Sequence, residues 1–151
     1  RVGGRKPNII TSLELRSEEM EVINLRIQKK YKEIEEKEVR FEEYLLEDAE
    51  YAIVAFGSAA RIAKKSIEIA RSQGIKVGLL RPITLWPFPT KEVQKLAGEV
   101  KGILSLEINA GQMVEDIRLA VAGSVPVQHF GRLGGIIPDP DEVVDAIKRL
   151  F

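Results

Sequence analysis

Residues 51–82 read YAIVAFGSAARIAKKSIEIARSQGIKVGLLRP, and this stretch decides the fold. Tyr51–Phe56 is a short apolar run that ends at Gly57-Ser58. A run of that length without polar alternation fits a strand buried on both faces. Ala59–Gln73 changes period: Ile62, Ile67 and Ile69 recur at helical spacing among Ala, Lys and Arg. Gly74 stands where a glycine commonly ends a helix, and Lys76–Leu80 is a second apolar strand. A strand, a helix and a strand in that order make a crossover unit, which places the two strands parallel.

The pattern repeats toward the C-terminus. Thr90 is a candidate N-cap for a helix through Ala97, and Ile103–Ile108 is a third strand. Gln112–Ala122 is a third helix stopped by Gly123, and Val125–Phe130 is a fourth strand. Asp139-Pro140-Asp141-Glu142 combines an Asp cap, Pro at the first helical position and Glu three residues after the cap. This predicts a last helix running to about Leu150. Apolar strands alternating with helices predict an α/β fold, a three-layer arrangement around a mostly parallel sheet.

Upstream the composition differs. Residues 14–50 carry 7 Lys/Arg and 13 Asp/Glu, a net of −6, while the whole chain of 151 residues balances 23 against 23. Ten of the twelve glycines, and all the prolines except Pro7, lie after residue 50, so the composition divides the chain near Asp48–Glu50. Met20, Ile27, Ile34 and Phe41 recur every seven residues, with Ile23, Tyr31 and Leu45 on or near the same face. An amphipathic helix from about Ser17 to Glu38 is expected, with Ser17 as cap and Glu18 and Glu19 in the first turn. It packs on its own or a neighbouring domain, or forms a short coiled coil. The predicted organisation is a linker over 1–13, a charged helical lead-in over 14–47, and an α/β domain over 48–151. Gly3-Gly4 lacks the spacing of a phosphate-binding loop.

Composition excludes several functions. The chain has no cysteine, so it forms no disulfide, no thiol nucleophile, no cysteine-ligated zinc and no iron–sulfur cluster of its own. A single histidine, His129, excludes a histidine-rich metal site. The neutral balance advertises neither nucleic acid nor a membrane surface as partner. No apolar run approaches the roughly 20 residues of a membrane span. Arg1 is not followed by a signal-peptide pattern, so the expected setting is cytoplasmic, the chain being part of something longer.

In parallel sheets, ligands and partners meet the loops at the carboxyl ends of the strands. Gly57 and Ser58 present backbone N–H groups at a helix start and are anion-site candidates, although any sharp strand-to-helix turn also needs small residues there. Arg81–Pro89 reads RPITLWPFP, a loop stiffened by three prolines and carrying Trp86 and Phe88. It serves either a partner interface, where a preset shape costs little entropy, or the domain's own sheet edge. Glu107, Asn109, Gln112, Glu115 and Asp116 follow the third strand. Glu115 and Asp116 are adjacent on a helix and point apart, so they make no acid–base pair; Asn109 and Gln112 read as polar contacts at the helix start. His129 reads as a satisfied structural residue. Gly131, Gly134 and Gly135 shape a tight rim with Arg132 turned toward a partner. No catalytic or metal-binding residue is expected.

Leu80–Pro89 (LRPITLWPFP), Ala110–Asp116 (AGQMVED), the longer stretches 51–89, 107–123 and 130–143, and KYKEIEEKEVRFEEY over 30–44 carry a resemblance. They resemble the C-terminal part of the alpha-type subunit of 2-oxoacid:ferredoxin oxidoreductases, within it the 2-ketoisovalerate (3-methyl-2-oxobutanoate) branch. The resemblance covers the chain from about residue 13. It implies a transketolase C-terminal-like domain: five strands, the first short and antiparallel, for which Phe41–Leu46 is the candidate. It implies membership of an enzyme that decarboxylates a 2-oxo acid on thiamine diphosphate and passes electrons through [4Fe–4S] clusters to ferredoxin and the acyl group to coenzyme A. In the family, the diphosphate, its Mg²⁺ and the clusters are bound by other subunits, and the thiamine-pyrimidine contacts by the preceding domain. This chain would bind none of them and would serve structure and assembly. Its partners would be the other subunits and its own N-terminal domain, and through the complex ferredoxin and coenzyme A. Arg81, Trp86, Asn109 and Gln112 lie in the matching motifs. A stand-alone module binding a small anion or nucleotide at Gly57-Ser58, or the C-terminal domain of an E1-type dehydrogenase or transketolase, are the other readings.

Overall fold

The computed structural model describes Gly4, Asn8, Ile9 and residues 13–150; most of the expected linker over 1–13 lies outside these residues. The described residues form ten elements in order: α1 (Ser17–Lys37), β1 (Phe41–Tyr44), β2 (Tyr51–Ala55), α2 (Gly57–Ser72), β3 (Val77–Pro82), α3 (Thr90–Ala97), β4 (Ile103–Glu107), α4 (Met113–Val121), β5 (Val127–Gly131) and α5 (Pro140–Lys148). One five-stranded sheet has the order β1-β3-β2-β4-β5. β1 is antiparallel to β3, and the remaining neighbours are parallel.

Side chains alternate across β2 with period two and so feed two cores. Ile53 and Ala55 face one side with Leu79, Leu104 and Leu106, beneath α2 and α5. Ala52 and Val54 face the other with Leu80 and Ile103, beneath α3 and α4. Helices on both faces explain why β2 and β4 are buried at nearly every position, in contrast to the half-solvated β1.

β1 lies ahead of residue 48, where the composition places the domain boundary, yet it is hydrogen-bonded in the sheet. Its link to β2 passes hard against β3: a Cβ on Gly78 would lie 2.4 Å from the Leu45 carbonyl oxygen, so only glycine fits there. Arg71 on α2 fastens the same link, its guanidinium donating to the carbonyls of Leu45 and Val77 and to Asp48 Oδ1.

Two caps differ from expectation. Arg16, not Ser17, is the N-cap of α1, and Pro89, not Thr90, that of α3; neither provides a side-chain cap. α4 starts at Met113 with Gln112 as N-cap, and again the capping residue's side chain is not used. A serine or threonine caps only when it stands just outside the first helical residue, and Ser17 and Thr90 stand one position inside. Asp139 does cap α5, in a full capping box with Glu142 and with Pro140 first in the helix. β5 begins at Val127 rather than Val125, because Pro126 has no N–H to donate to a ladder.

Candidate functional site

The parallel strands bring four segments to one end of the sheet: Gly57-Ser58, residues 83–89, residues 108–112 and residues 132–139. The chemistry at this end is organised around a group that periodicity treats as surface. Glu107, the last residue of β4, is fully buried. Its Oε2 accepts hydrogen bonds from the backbone N–H groups of Gln112 (3.0 Å) and Met113 (2.9 Å). Its Oε1 accepts from the N–H of Val114 (3.0 Å) and from Ser105 Oγ (2.9 Å). Two bonds to each oxygen fill the carboxylate's acceptor sites. Burial pushes the carboxyl pKa up, but the hydrogen bonds from Gln112, Met113, Ser105 and Val114 outweigh it and hold it below the ordinary value. The negative charge also sits at the positive end of α4. Glu107 therefore replaces the missing cap of α4 from inside the sheet. With its oxygens taken it has no free lone pair to act as a base, so its role is to hold the 108–112 turn.

The turn is closed further by Asn109, whose Oδ1 accepts from the N–H of Gly111 at 2.7 Å. β5 presses against it: a Cβ on Gly131 would lie 2.3 Å from the Asn109 carbonyl oxygen and 2.8–2.9 Å from the His129 ring. His129 is half-buried, with Nε2 enclosed 3.9 Å from Glu107 Oε1 and without a hydrogen-bond partner among the described residues. The expected satisfied histidine is thus structural in position but unsatisfied at Nε2. Arg132, expected to be turned toward a partner, has its guanidinium paired with Glu142 of α5. Glu142 also accepts from the Asp139 N–H, and these two contacts hold its carboxyl below the usual range. Arg81 is likewise engaged within the sheet, its Nη1 2.9 Å from Glu42 Oε2 on β1. Gln112 contributes its backbone N–H rather than its side chain.

The 83–89 loop behaves differently. Its start is sewn to the link between α1 and β1: the N–H groups of Ile83 and Thr84 donate to the Arg40 carbonyl, and the Arg40 N–H donates to Thr84 Oγ1. Phe88 tucks half-buried against the α3–α4 core, and the Trp86–Pro87 peptide is cis. Trp86 does not plug the sheet edge. It stays 55% exposed and meets Tyr31 of α1 edge-on, ring centroids 5.4 Å apart at 76°. Ile83 and Leu85 are exposed beside it, and Leu133, Ile136 and Ile137 are exposed on the β5–α5 loop. The carboxyl end of the sheet thus carries two exposed apolar groups on loops, both anchored by polar contacts beneath. Exposed apolar loops on a rigid base are the anatomy of a binding surface.

Residues 49–143 match the family model of pyruvate:ferredoxin oxidoreductase core domain II. The chain belongs to this family. It is similar to the ketoisovalerate oxidoreductase subunit VorB of Methanothermobacter thermautotrophicus, 45% identical over 95% of this chain and 40% of that one. It is similar to the 2-oxoglutarate synthase subunit KorA of Methanothermobacter marburgensis, 30% identical over 69% of this chain and 28% of that one. The chain therefore spans less than half the length of these curated relatives. Among solved structures, a 2-oxoglutarate:ferredoxin oxidoreductase of Magnetococcus marinus, with 2-oxoglutarate, coenzyme A and succinyl-CoA bound, shares the fold at TM-score 0.76. It is 21% identical and covers 91% of this chain and 24% of that one. A split-gene transketolase shares it at TM-score 0.61 and 15% identity, over 72% of this chain and 41% of that one. The expected transketolase-like architecture, with the short antiparallel strand at Phe41–Tyr44, is the one observed.

Among the described residues no set of side chains fits an iron–sulfur cluster or a metal ion. There is no cysteine for an iron–sulfur cluster, and no group of three or more metal-binding side chains occurs among the described residues. The N-terminus of α4, where a diphosphate would find donors, is filled by Glu107. No helix of the described residues is long and apolar enough to cross a membrane.

Proposed function

We propose that this chain is the domain II portion of a cytoplasmic 2-oxoacid:ferredoxin oxidoreductase subunit, acting on a branched-chain or related 2-oxo acid, and that it serves assembly rather than chemistry. The observation that carries the assembly role is the pairing of internally engaged charges with an apolar rim. At the carboxyl end Glu107 and Arg132 are engaged inside the domain, whereas Trp86, Leu85, Leu133 and Ile137 are presented outward. The branched-chain preference rests on the similarity to VorB. In the complete enzyme, thiamine diphosphate, Mg²⁺ and [4Fe–4S] clusters would be held by the other domains and subunits, and ferredoxin and coenzyme A would be met through the complex.

The test is calorimetric titration of the 151-residue chain with thiamine diphosphate and Mg²⁺, followed by a turnover assay with 2-ketoisovalerate, coenzyme A and a viologen acceptor. The expected result is neither heat of binding nor turnover. Tight binding of the diphosphate, or reduction of the acceptor by this chain alone, contradicts the assembly role.

A further inference from the structure

Trp86 is the single tryptophan of the chain, and an indole face attracts cations more strongly than any other side-chain ring. The base of its loop is fixed by the bonds of Ile83 and Thr84 to the Arg40 carbonyl, so the ring is positioned before any partner arrives. Tyr31 meets it edge-on, with 5.4 Å between centroids and 76° between planes, so the two rings make two walls of a corner rather than a stack. Neither ring is closed over: Trp86 is 55% exposed and Tyr31 40%. Gln28, Lys32 and Glu35 complete a cavity of about 400 Å³ with these rings, which has room for one side chain. The four helical residues share one face of α1 because they are spaced three and four apart.

The chemistry of the walls selects the occupant. Ring faces carry negative potential, and Glu35 adds a full negative charge beside them. Glu35 has no ion pair among the described residues. Tyr44, by contrast, already has a cation over its ring, Lys64 Nζ at 5.3 Å from the centroid. Lys32 stands at the wall of the cavity but over neither ring, and it pairs with no acid among the described residues. An adjoining cavity shares Trp86, Lys32 and Glu35 and adds Glu36, Glu92 and Lys91. Along the whole groove the carboxylates of Glu35, Glu36 and Glu92 thus outnumber the ammonium groups of Lys32 and Lys91. An anion would meet these carboxylates, and a neutral apolar side chain would leave Glu35 unused. A guanidinium uses both walls: its plane stacks on the indole face while its N–H fork reaches a carboxylate at the side. An ammonium has no plane to stack.

We infer that Trp86, Tyr31 and Glu35 form a cage for the guanidinium of an arginine on a partner subunit. This rests on the assembly reading of the rim and adds the chemistry of the group that enters it. The contact is small and open to water, so a free arginine derivative binds it weakly and gains its specificity from charge.

The test is an NMR titration of the 151-residue chain with acetyl-arginine-amide, from the low millimolar to the hundred-millimolar range at constant ionic strength. The single tryptophan gives one indole N–H resonance, so the shift of Trp86 is read directly. Acetyl-citrulline-amide, the neutral isostere, is the comparison probe, and circular dichroism confirms that each variant keeps its helix. The expected result is a saturable shift with the arginine probe and binding weaker by about fivefold or more with the citrulline probe. Glu35→Gln and Tyr31→Leu are each expected to weaken the arginine probe by about threefold. Equal binding of the two probes, an indole resonance indifferent to both, or either variant binding as tightly as the native chain overturns the inference. The titration reads the cage without any partner, so its failure leaves the assembly role standing. Failure of the assembly role shows instead as diphosphate binding or turnover by the chain alone.

Discussion

Replacing Glu107 by Gln removes one charge and almost no volume, which isolates the carboxylate's work from its packing. In the native chain four donors converge on it: the N–H groups of Gln112, Met113 and Val114, and Ser105 Oγ. A carboxamide has one oxygen, which accepts two of them. Its NH₂ must face the others. The least costly orientation turns the NH₂ to the Oε1 side, where Ser105 Oγ rotates to accept, but the Val114 N–H is then left buried without a partner. An orphaned buried donor costs about 1–3 kcal/mol, and the two surviving bonds lose their charge assistance and the attraction of the helix dipole. The expected loss is about 2–4 kcal/mol. With a urea dependence of about 2 kcal/mol per M for a domain of this size, the unfolding midpoint drops by roughly 1–2 M. Amide exchange at Val114 accelerates while exchange in β2 follows only the global loss. Glu115→Gln, whose side chain is exposed, is the control and shifts stability by less than about 0.5 kcal/mol. A loss below about 1 kcal/mol for Glu107→Gln refutes the claim that this carboxylate is the cap of α4.

Further predictions follow from the same contacts. Because hydrogen bonding lowers the Glu107 pKa in the folded state, its contribution is fully present above the unfolded carboxyl value, near about 4.3, and is lost as pH falls through the folded value. The stability gap between native chain and Glu107→Gln, measured by urea titration, is therefore constant near neutrality and narrows below about pH 4. Gly131→Ala drives a Cβ into the Asn109 carbonyl oxygen and is expected to cost about 1–3 kcal/mol in the same assay. Asp139→Ala removes the α5 cap and costs about 1 kcal/mol. Trp86→Ala loses an edge-on contact with Tyr31 at a half-exposed site, so thermal unfolding shows a loss of no more than about 1.5 kcal/mol.

The strand–helix alternation is legible in residues 51–150 because β2 is an uninterrupted apolar run, β3 and β4 are mainly apolar, and Gly74, Gly123 and Asp139 punctuate the helices locally. β1 is a different case. FEEY is half-solvated and too short for a periodicity argument, and it was readable only through the family resemblance. Glu107 was legible as a polar residue at a strand end but not as a buried one. Hydrophobic patterning assigns a carboxylate to the surface, and only the placement of α4 six residues later shows that its N–H groups converge there. The signal available was the absence of a capping side chain at Gln112, combined with an acid closing the mainly apolar ILSLE. Cross-strand register supplies Arg81 with Glu42, and the α5 capping box supplies Arg132 with Glu142, partners that a local reading of the sequence does not show.

The assembly role is tested most directly by a chimera. The matching segment of VorB from Methanothermobacter thermautotrophicus is replaced by this chain, and 2-ketoisovalerate-dependent electron transfer by the assembled enzyme is measured. Retained assembly and activity, with assembly lost on introducing Trp86→Ala together with Leu133→Asp, is the predicted result. A chimera that assembles and turns over unchanged with both rim substitutions in place contradicts the assignment of this surface.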